Sequence, residues 1–135
     1  MKVHYDFSGH TLVVAGAASG IGNATALAFL EAGATVIAVD IDADGLARVA
    51  HARWLPRRVD IADSAAVQVL VDEVLRLQGR IDGAVLTSAI QHRSLIEETS
   101  DEAWQRHLDV NLSGIFYFLR ALFPVMKDEI GRAHV

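Results

Sequence analysis

The sequence predicts an α/β fold, a doubly wound parallel sheet with helices on both faces, and three observations carry this. Short apolar runs of strand length alternate with stretches whose apolar residues recur at helical spacing. The first run, Thr11–Ala15, breaks into the glycine pattern Gly16-x-x-x-Gly20-x-Gly22, on which a helical pattern opens. The second and third runs end at carboxylates, Asp40 and Asp60.

After a polar lead-in over residues 1–10, strand one is expected at Thr11–Ala15 and helix one at Gly20–Ala32, closed by Gly33 in a left-handed cap. Strand two covers Thr35–Asp40 and helix two Asp42–Arg53, with Leu46, Val49 and Ala50 facing inward. Strand three spans Trp54–Val59, and Pro56 places its start at an edge or outside the ladder. Helix three spans Ser64–Leu77, capped by Asp63 or Ser64 and ended by Gly79. Strand four is Ile81–Leu86 and a loop covers Thr87–Glu98. Thr99-Ser100-Asp101-Glu102 has the form of a capping box opening one long helix over Ser100–Lys127, perturbed near Pro124. Gly131–Val135 reads as the first residues of a fifth strand. Right-handed crossovers favour the strand order 3-2-1-4, so a ligand is expected above the carboxyl ends of strands one and four.

The glycine pattern has a physical reading. Gly16 permits a sharp turn, Gly20 a close approach of backbone to ligand, and Gly22 close packing of helix on strand. The helix start offers free N–H groups and a positive dipole end to a pyrophosphate. A glycine-rich turn without a ligand is the plain alternative, and Asp40 weighs against it. It ends the second strand roughly 20 residues after the glycines, where a carboxylate accepts hydrogen bonds from a ribose. A solvated strand-end carboxylate or a helix cap remains the alternative for Asp40, and a cap for Asp60.

Composition narrows the class. Of 135 residues 52% are hydrophobic, which excludes disorder, and the net charge of −5 without a basic run argues against nucleic acid. With no cysteine there is no disulfide or thiolate metal site. Six histidines are scattered, His92 and His107 having no partner at ligand spacing, so no metal is expected. Residues 1–6 lack the apolar segment of a signal peptide and no apolar run is read as long enough to span a membrane. A cytoplasmic location is the expectation.

The set Gly16, Gly20, Gly22, Asp40, Asp60 and Asn111, in register from Phe7-Ser8-Gly9 to Gly131-Arg132, resembles the short-chain dehydrogenases/reductases. The resemblance implies a Rossmann-like domain over residues 1–135, incomplete relative to the family and cut at the start of strand five. It places Gly16, Ser19, Gly20, Ile21 and Gly22 around a cofactor pyrophosphate and the adjoining ribose. Asp40 and Ile41 fall at the adenosine ribose, Asp60 and Ile61 at the adenine, Ser88 and Ala89 at the nicotinamide ribose. Asn111 matches an asparagine that bends the long helix and holds a water in the family's proton relay, and is the candidate catalytic residue. A merely tolerated surface asparagine is its alternative.

NAD is favoured over NADP. The Asp40 carboxylate repels a 2′-phosphate, Ala17 and Ala18 supply no cation, and Asp42 adds negative charge. Replacing Asp40 while placing a basic residue at Ala17 or Ala18 is expected to shift the preference. Three departures from the family stand out. Leu86-Thr87-Ser88-Ala89 replaces Asn-Asn-Ala-Gly, which removes amide hydrogen bonds and a glycine from this turn. Ala15 replaces a threonine. The family's catalytic Ser and Tyr-x-x-x-Lys are missing: Tyr5 and Tyr117 are followed four places on by Gly9 and Ala121, and Ser88 and Ser94 are out of register. The expectation is the cofactor-binding half of an NAD-dependent oxidoreductase for an alcohol or ketone, inactive alone. A non-catalytic dinucleotide-binding module or an inactive folded fragment is the alternative. A homodimer or higher oligomer through the 100–127 helix is expected, because its apolar residues spread over more than one face.

Overall fold

A computed structural model describes residues 3–130. Four parallel strands, β1 (Thr11–Ala15), β2 (Thr35–Asp40), β3 (Trp54–Arg58) and β4 (Gly83–Leu86), form one sheet in the order β3-β2-β1-β4. The helices are α1 (Gly20–Glu31), α2 (Ala43–Leu46), α3 (Ser64–Gln78), α4 (Asp101–Leu108) and α5 (Ile115–Ile130), with a π-helical segment at Asp109–Gly114 between the last two. The expected order and topology are therefore those observed, in a Rossmann-like arrangement. The expected fifth strand lies outside the described residues.

The sheet is covered on both faces because the interiors of its central strands, Leu12–Ala15 and Val36–Val39, are apolar throughout. Val13, Ala15, Ile37 and Val39 pack with α3 residues Val67, Leu70 and Val71 and with Phe118 and Leu122 of α5. The alternate residues Leu12, Val14, Val36 and Ala38 pack on the opposite face with Ala26 and Leu30 of α1, Leu46 and Trp54. A period of two thus sends successive β1 side chains into two different cores.

Three expectations change. Helix two ends at Leu46 rather than Arg53. The Trp54 indole donates to the Leu46 carbonyl at 3.0 Å, and the Arg53 guanidinium donates to the Leu30 and Ala34 carbonyls. These tertiary bonds turn the chain back onto the sheet before a longer helix can form. Pro56 does take the first of its two expected places, at an edge: it lies opposite Ala38 in β3, the edge strand of the sheet. The long helix is two α-helices joined by a π segment, and Pro124 lies inside a continuous α5. As one helical stretch Asp101–Lys127 has the length and hydropathy to cross a membrane, contrary to the expectation that no apolar run is long enough. In the fold its Val110, Gly114, Phe118 and Leu122 are buried against the core.

Asp82 ties the amino ends of β1 and β4 together. Its carboxylate accepts from the Thr11 N–H at 2.7 Å and from the Arg80 guanidinium, while its own N–H donates to the Thr11 carbonyl at 2.8 Å. Burial pushes the carboxyl up, but the hydrogen bonds from Arg80 and Thr11 outweigh it and hold Asp82 below the usual carboxylate range. A depressed folded-state pKa contributes stability that is present above the unfolded value near 4 and is lost as pH falls through the folded value. Asp82→Asn is therefore expected to cost about 1–2 kcal/mol at neutral pH. Its deficit against the parent should shrink in denaturant titrations carried down from pH 5 to pH 2.5, and a deficit constant across that range would contradict the assignment.

Candidate functional site

Parallel strands deliver their carboxyl ends to one rim, and the residues that follow them gather there into an open cleft of about 360 Å³. The glycine turn supplies Gly16, Ser19, Gly20, Ile21 and Gly22. The end of β2 supplies Asp40 and Ile41; the segment after β3 supplies Val59, Asp60 and Ile61. The β4 loop adds Thr87, Ser88, Ala89 and Ile90, and Arg106 and Val110 come from the helix crossing above. Every candidate cofactor residue of the sequence reading lines this cleft, and Asn111 does not.

The three glycines act as their spacing indicated. Gly16 has φ +87°, and a Cβ there would stand 2.8 Å from Thr87 Oγ1. Gly22 admits no side chain, since a Cβ would meet the Gly16 carbonyl oxygen at 2.0 Å. Gly20, with φ +56°, has nothing within 4 Å on its Cβ side, so its backbone faces open cleft. The first turn of α1 carries no carboxylate, and Ser19 makes no capping bond, so the free N–H groups of the helix start face the cleft without an anionic partner of their own.

Asp40 is fixed by backbone. Its Oδ2 accepts from Ala18 N–H and its Oδ1 from Asp42 N–H, both at 3.0 Å. Each oxygen keeps a further lone pair for a hydroxyl. The capping role falls to the neighbouring Asp42, whose side chain accepts from Gly45 N–H. Asp60 likewise does not cap α3, because Asp63 accepts from Ala65 and Ala66 N–H. Asp60 instead accepts from Ala62 N–H and pairs with Arg106, each at 3.0 Å.

The β4 turn is better tied than its departures implied. Thr87 donates both its N–H and its hydroxyl to the Ala15 carbonyl, at 2.9 and 2.8 Å. A hydroxyl thus replaces the missing amide contacts. No described non-glycine residue has positive φ, so Ala89 occupies an ordinary backbone conformation where the family has glycine. Beyond it, Asn111 holds Ile90 by both backbone groups, accepting from its N–H at 2.8 Å and donating to its carbonyl at 2.9 Å. Asn111 lies in the π segment and positions the cleft wall from behind. Next along the loop, His92 N–H donates to His107 Nε2 at 2.9 Å. That bond makes Nε2 the acceptor, so Nδ1 carries the proton that bonds the Ala103 carbonyl at 2.7 Å. The two histidines, without partners in the sequence reading, meet across the loop.

Ala17 and Ala18 are buried, at 0% and 6% exposure, so neither can carry the basic residue expected to recruit a 2′-phosphate. Ile41, 50% exposed on the cleft rim, is the position with room. Thr87, Val59, Ile90, Arg106 and Val110 line the cleft without having been among the candidate cofactor residues of the sequence reading. For Arg106 the partner is 46 residues away, which no local pattern reveals.

Comparison with known proteins places this geometry. A family model described as Enoyl-(Acyl carrier protein) reductase matches residues 16–134. A short chain dehydrogenase/reductase of Macrophomina phaseolina is 33% identical over 132 residues, covering 92% of this chain and 75% of that protein. The chain belongs to the short-chain dehydrogenase/reductase family. Within that family it is 37% identical over 127 residues to the 3-oxoacyl-[acyl-carrier-protein] reductase of Thermotoga maritima, covering 90% of this chain and 52% of the relative. The crystal structure of 3-ketoacyl-(acyl-carrier-protein) reductase from Brucella melitensis complexed with NADH superposes with a TM-score of 0.87 at 31% identity, covering 93% of this chain and 54% of that one. The chain spans about half the length of several of its curated relatives. It shares with these short-chain dehydrogenases/reductases a Rossmann cofactor-binding fold.

Proposed function

We propose that residues 1–135 form the dinucleotide-binding domain of an NAD-dependent oxidoreductase acting on a small alcohol or ketone. The observation that carries the reading is Asp40, a carboxylate held on two backbone N–H groups beside the glycine turn. It fits a ribose diol, and at short range it opposes a 2′-phosphate. The open face at Gly20 and the uncapped start of α1 fit a pyrophosphate. Bound there, the cofactor's nicotinamide would supply the hydride acceptor or donor. The chain's own residues bind and orient it: Ser88 and Ala89 form the wall at that end, and Asn111 keeps the wall in place through Ile90. The Brucella relative was solved with NADH, which accords with NAD here.

A second reading, a binding module without catalysis, is favoured by one observation inside the chain: the turn Leu86-Thr87-Ser88-Ala89 carries Ala89 at the nicotinamide end of the cleft where the family has glycine. Calorimetric titration with NAD and NADP, together with a secondary-alcohol assay, tests both readings. NAD is expected to bind more tightly, with NAD reduction at background. Tighter NADP binding would overturn the cofactor assignment, and turnover that survives repurification would overturn the binding-module reading.

For assembly we propose a homodimer or higher oligomer through the 100–127 helix, over its Leu112–Phe123 stretch. Phe118 and Leu122 face the core, whereas Leu112, Phe116, Leu119 and Phe123 are more than half exposed on the other side. A cytoplasmic location, with neither nucleic acid nor membrane as partner, completes the reading; the net charge of −5 and the absence of a basic run support the first exclusion.

A further inference from the structure

We propose that Arg106 is a positioning residue for base recognition. It orients the Asp60 carboxylate at the end of the cleft so that an exocyclic amino group is accepted and a carbonyl oxygen is refused. The inference rests on reading the cleft as a dinucleotide site.

Asp60 lies two residues beyond β3 and is gripped from two directions. Its Oδ1 accepts from the Ala62 N–H and its Oδ2 from Arg106 Nη2, each at 3.0 Å. With one oxygen on the backbone and the other on α4, the two bonds favour one orientation of the carboxylate plane. The oxygens keep lone pairs, and an ionised carboxylate is acceptor-only. A purine with an amino group on its six-membered ring can donate to it, whereas a purine with a carbonyl there meets oxygen with oxygen. The side chains of Arg106 and Asp60 are 44% and 37% exposed, so solvent screens the pair and it adds little to folding. Its consequence is therefore one of orientation.

Arg106 also carries charge into the site. Among the described residues lining the cleft it is the one cation, paired with the carboxylate of Asp60. Loss of the guanidinium should weaken every anionic ligand by removing that charge. Loss of orientation should act on the base alone. The two effects separate in the ratio of affinities for ligands of equal charge that differ only in the base.

The test titrates the chain with NAD and with nicotinamide hypoxanthine dinucleotide by calorimetry, comparing the parent with Arg106→Gln, Arg106→Met, Arg106→Lys, Asp60→Asn and the double variant Arg106→Gln/Asp60→Asn. The parent should prefer NAD by roughly tenfold, the scale of one charged hydrogen bond. Arg106→Gln and Arg106→Met should each lose most of that preference, and Arg106→Lys should retain part of it. The double variant should discriminate no less than Asp60→Asn alone, because the two residues act through one carboxylate. The methionine variant keeps the apolar stem, and carries the test if the glutamine variant fails to fold by circular dichroism. A parent-like preference in either folded variant would overturn the role of Arg106 and leave the dinucleotide reading standing. Failure of the parent to bind either dinucleotide would overturn both.

Discussion

Gly22→Ala is expected to unfold the protein or bring it close to unfolding. The added Cβ would sit 2.0 Å from the Gly16 carbonyl oxygen, 2.5 Å from Thr87 Oγ1 and 2.7 Å from the Gly16 carbonyl carbon. Two of these atoms are backbone of the turn that α1 must approach, and the third is the hydroxyl that ties β4 to β1. The two backbone atoms cannot move without separating the helix from the sheet, and moving the hydroxyl breaks its bond to Ala15. Overpacking ordinarily costs about 1–3 kcal/mol, and contact with fixed backbone belongs at or beyond the upper end. A whole domain has only about 5–15 kcal/mol to lose. Gly20→Ala provides the contrast. Its Cβ would meet nothing, and only the φ of +56° opposes it, at roughly 1–2 kcal/mol. That variant should fold and lose ligand affinity, because its new methyl group enters the cleft. Urea midpoints separate the two, and a parent-like midpoint for Gly22→Ala would contradict the packing described.

The double substitution Asp40→Ala/Ile41→Arg is expected to reverse the nucleotide preference from NAD to NADP. Removing Asp40 takes away a carboxylate fixed on the Ala18 and Asp42 N–H groups, and with it both the diol acceptor and the repulsion of a 2′-phosphate. Arginine at position 41 then places a forked donor on the exposed rim, where a charge-assisted contact to phosphate contributes roughly 1.5–3 kcal/mol. Together the two changes should move the ratio of affinities by at least about a hundredfold. The single change Asp40→Ala should weaken NAD without creating tight NADP binding, since Asp42 and Asp44 remain nearby. Titration of both nucleotides against both variants checks this, and an unchanged ratio in the double variant would show that Asp40 does not face the ribose.

How much of this was legible in the sequence depended on where the controlling interaction lay. β1, α1 and β2 could be read because the interiors of buried strands are apolar and α1 opens on glycines whose need is local. The strand order followed from the handedness of crossovers, a property of any such chain. Helix two could not be bounded, because its end is set by the Trp54 indole and the Arg53 guanidinium rather than by its own residues. The π segment was hidden for a similar reason. Its apolar spacing continues that of a plain helix, while Gly114 is pressed against Ile61 so closely that a Cβ would meet Ile61 Cγ1 at 2.7 Å. In the site, the glycines and strand-end carboxylates announced themselves by position. The Thr87 hydroxyl and the Arg106–Asp60 pair depend on partners 72 and 46 residues distant, beyond the reach of any local pattern.

The most direct measurement of the central claim is the response of backbone amide resonances to added NAD. The largest shifts are expected at Gly20, Ile21 and Gly22, at Ile41 and Asp42, at Ile61, and at Ala89 and Ile90, which together trace the cleft. Saturating NAD that left these amides unmoved, or moved instead those around the apolar groove of Tyr5, Phe7 and Phe29 beside α1, would contradict it.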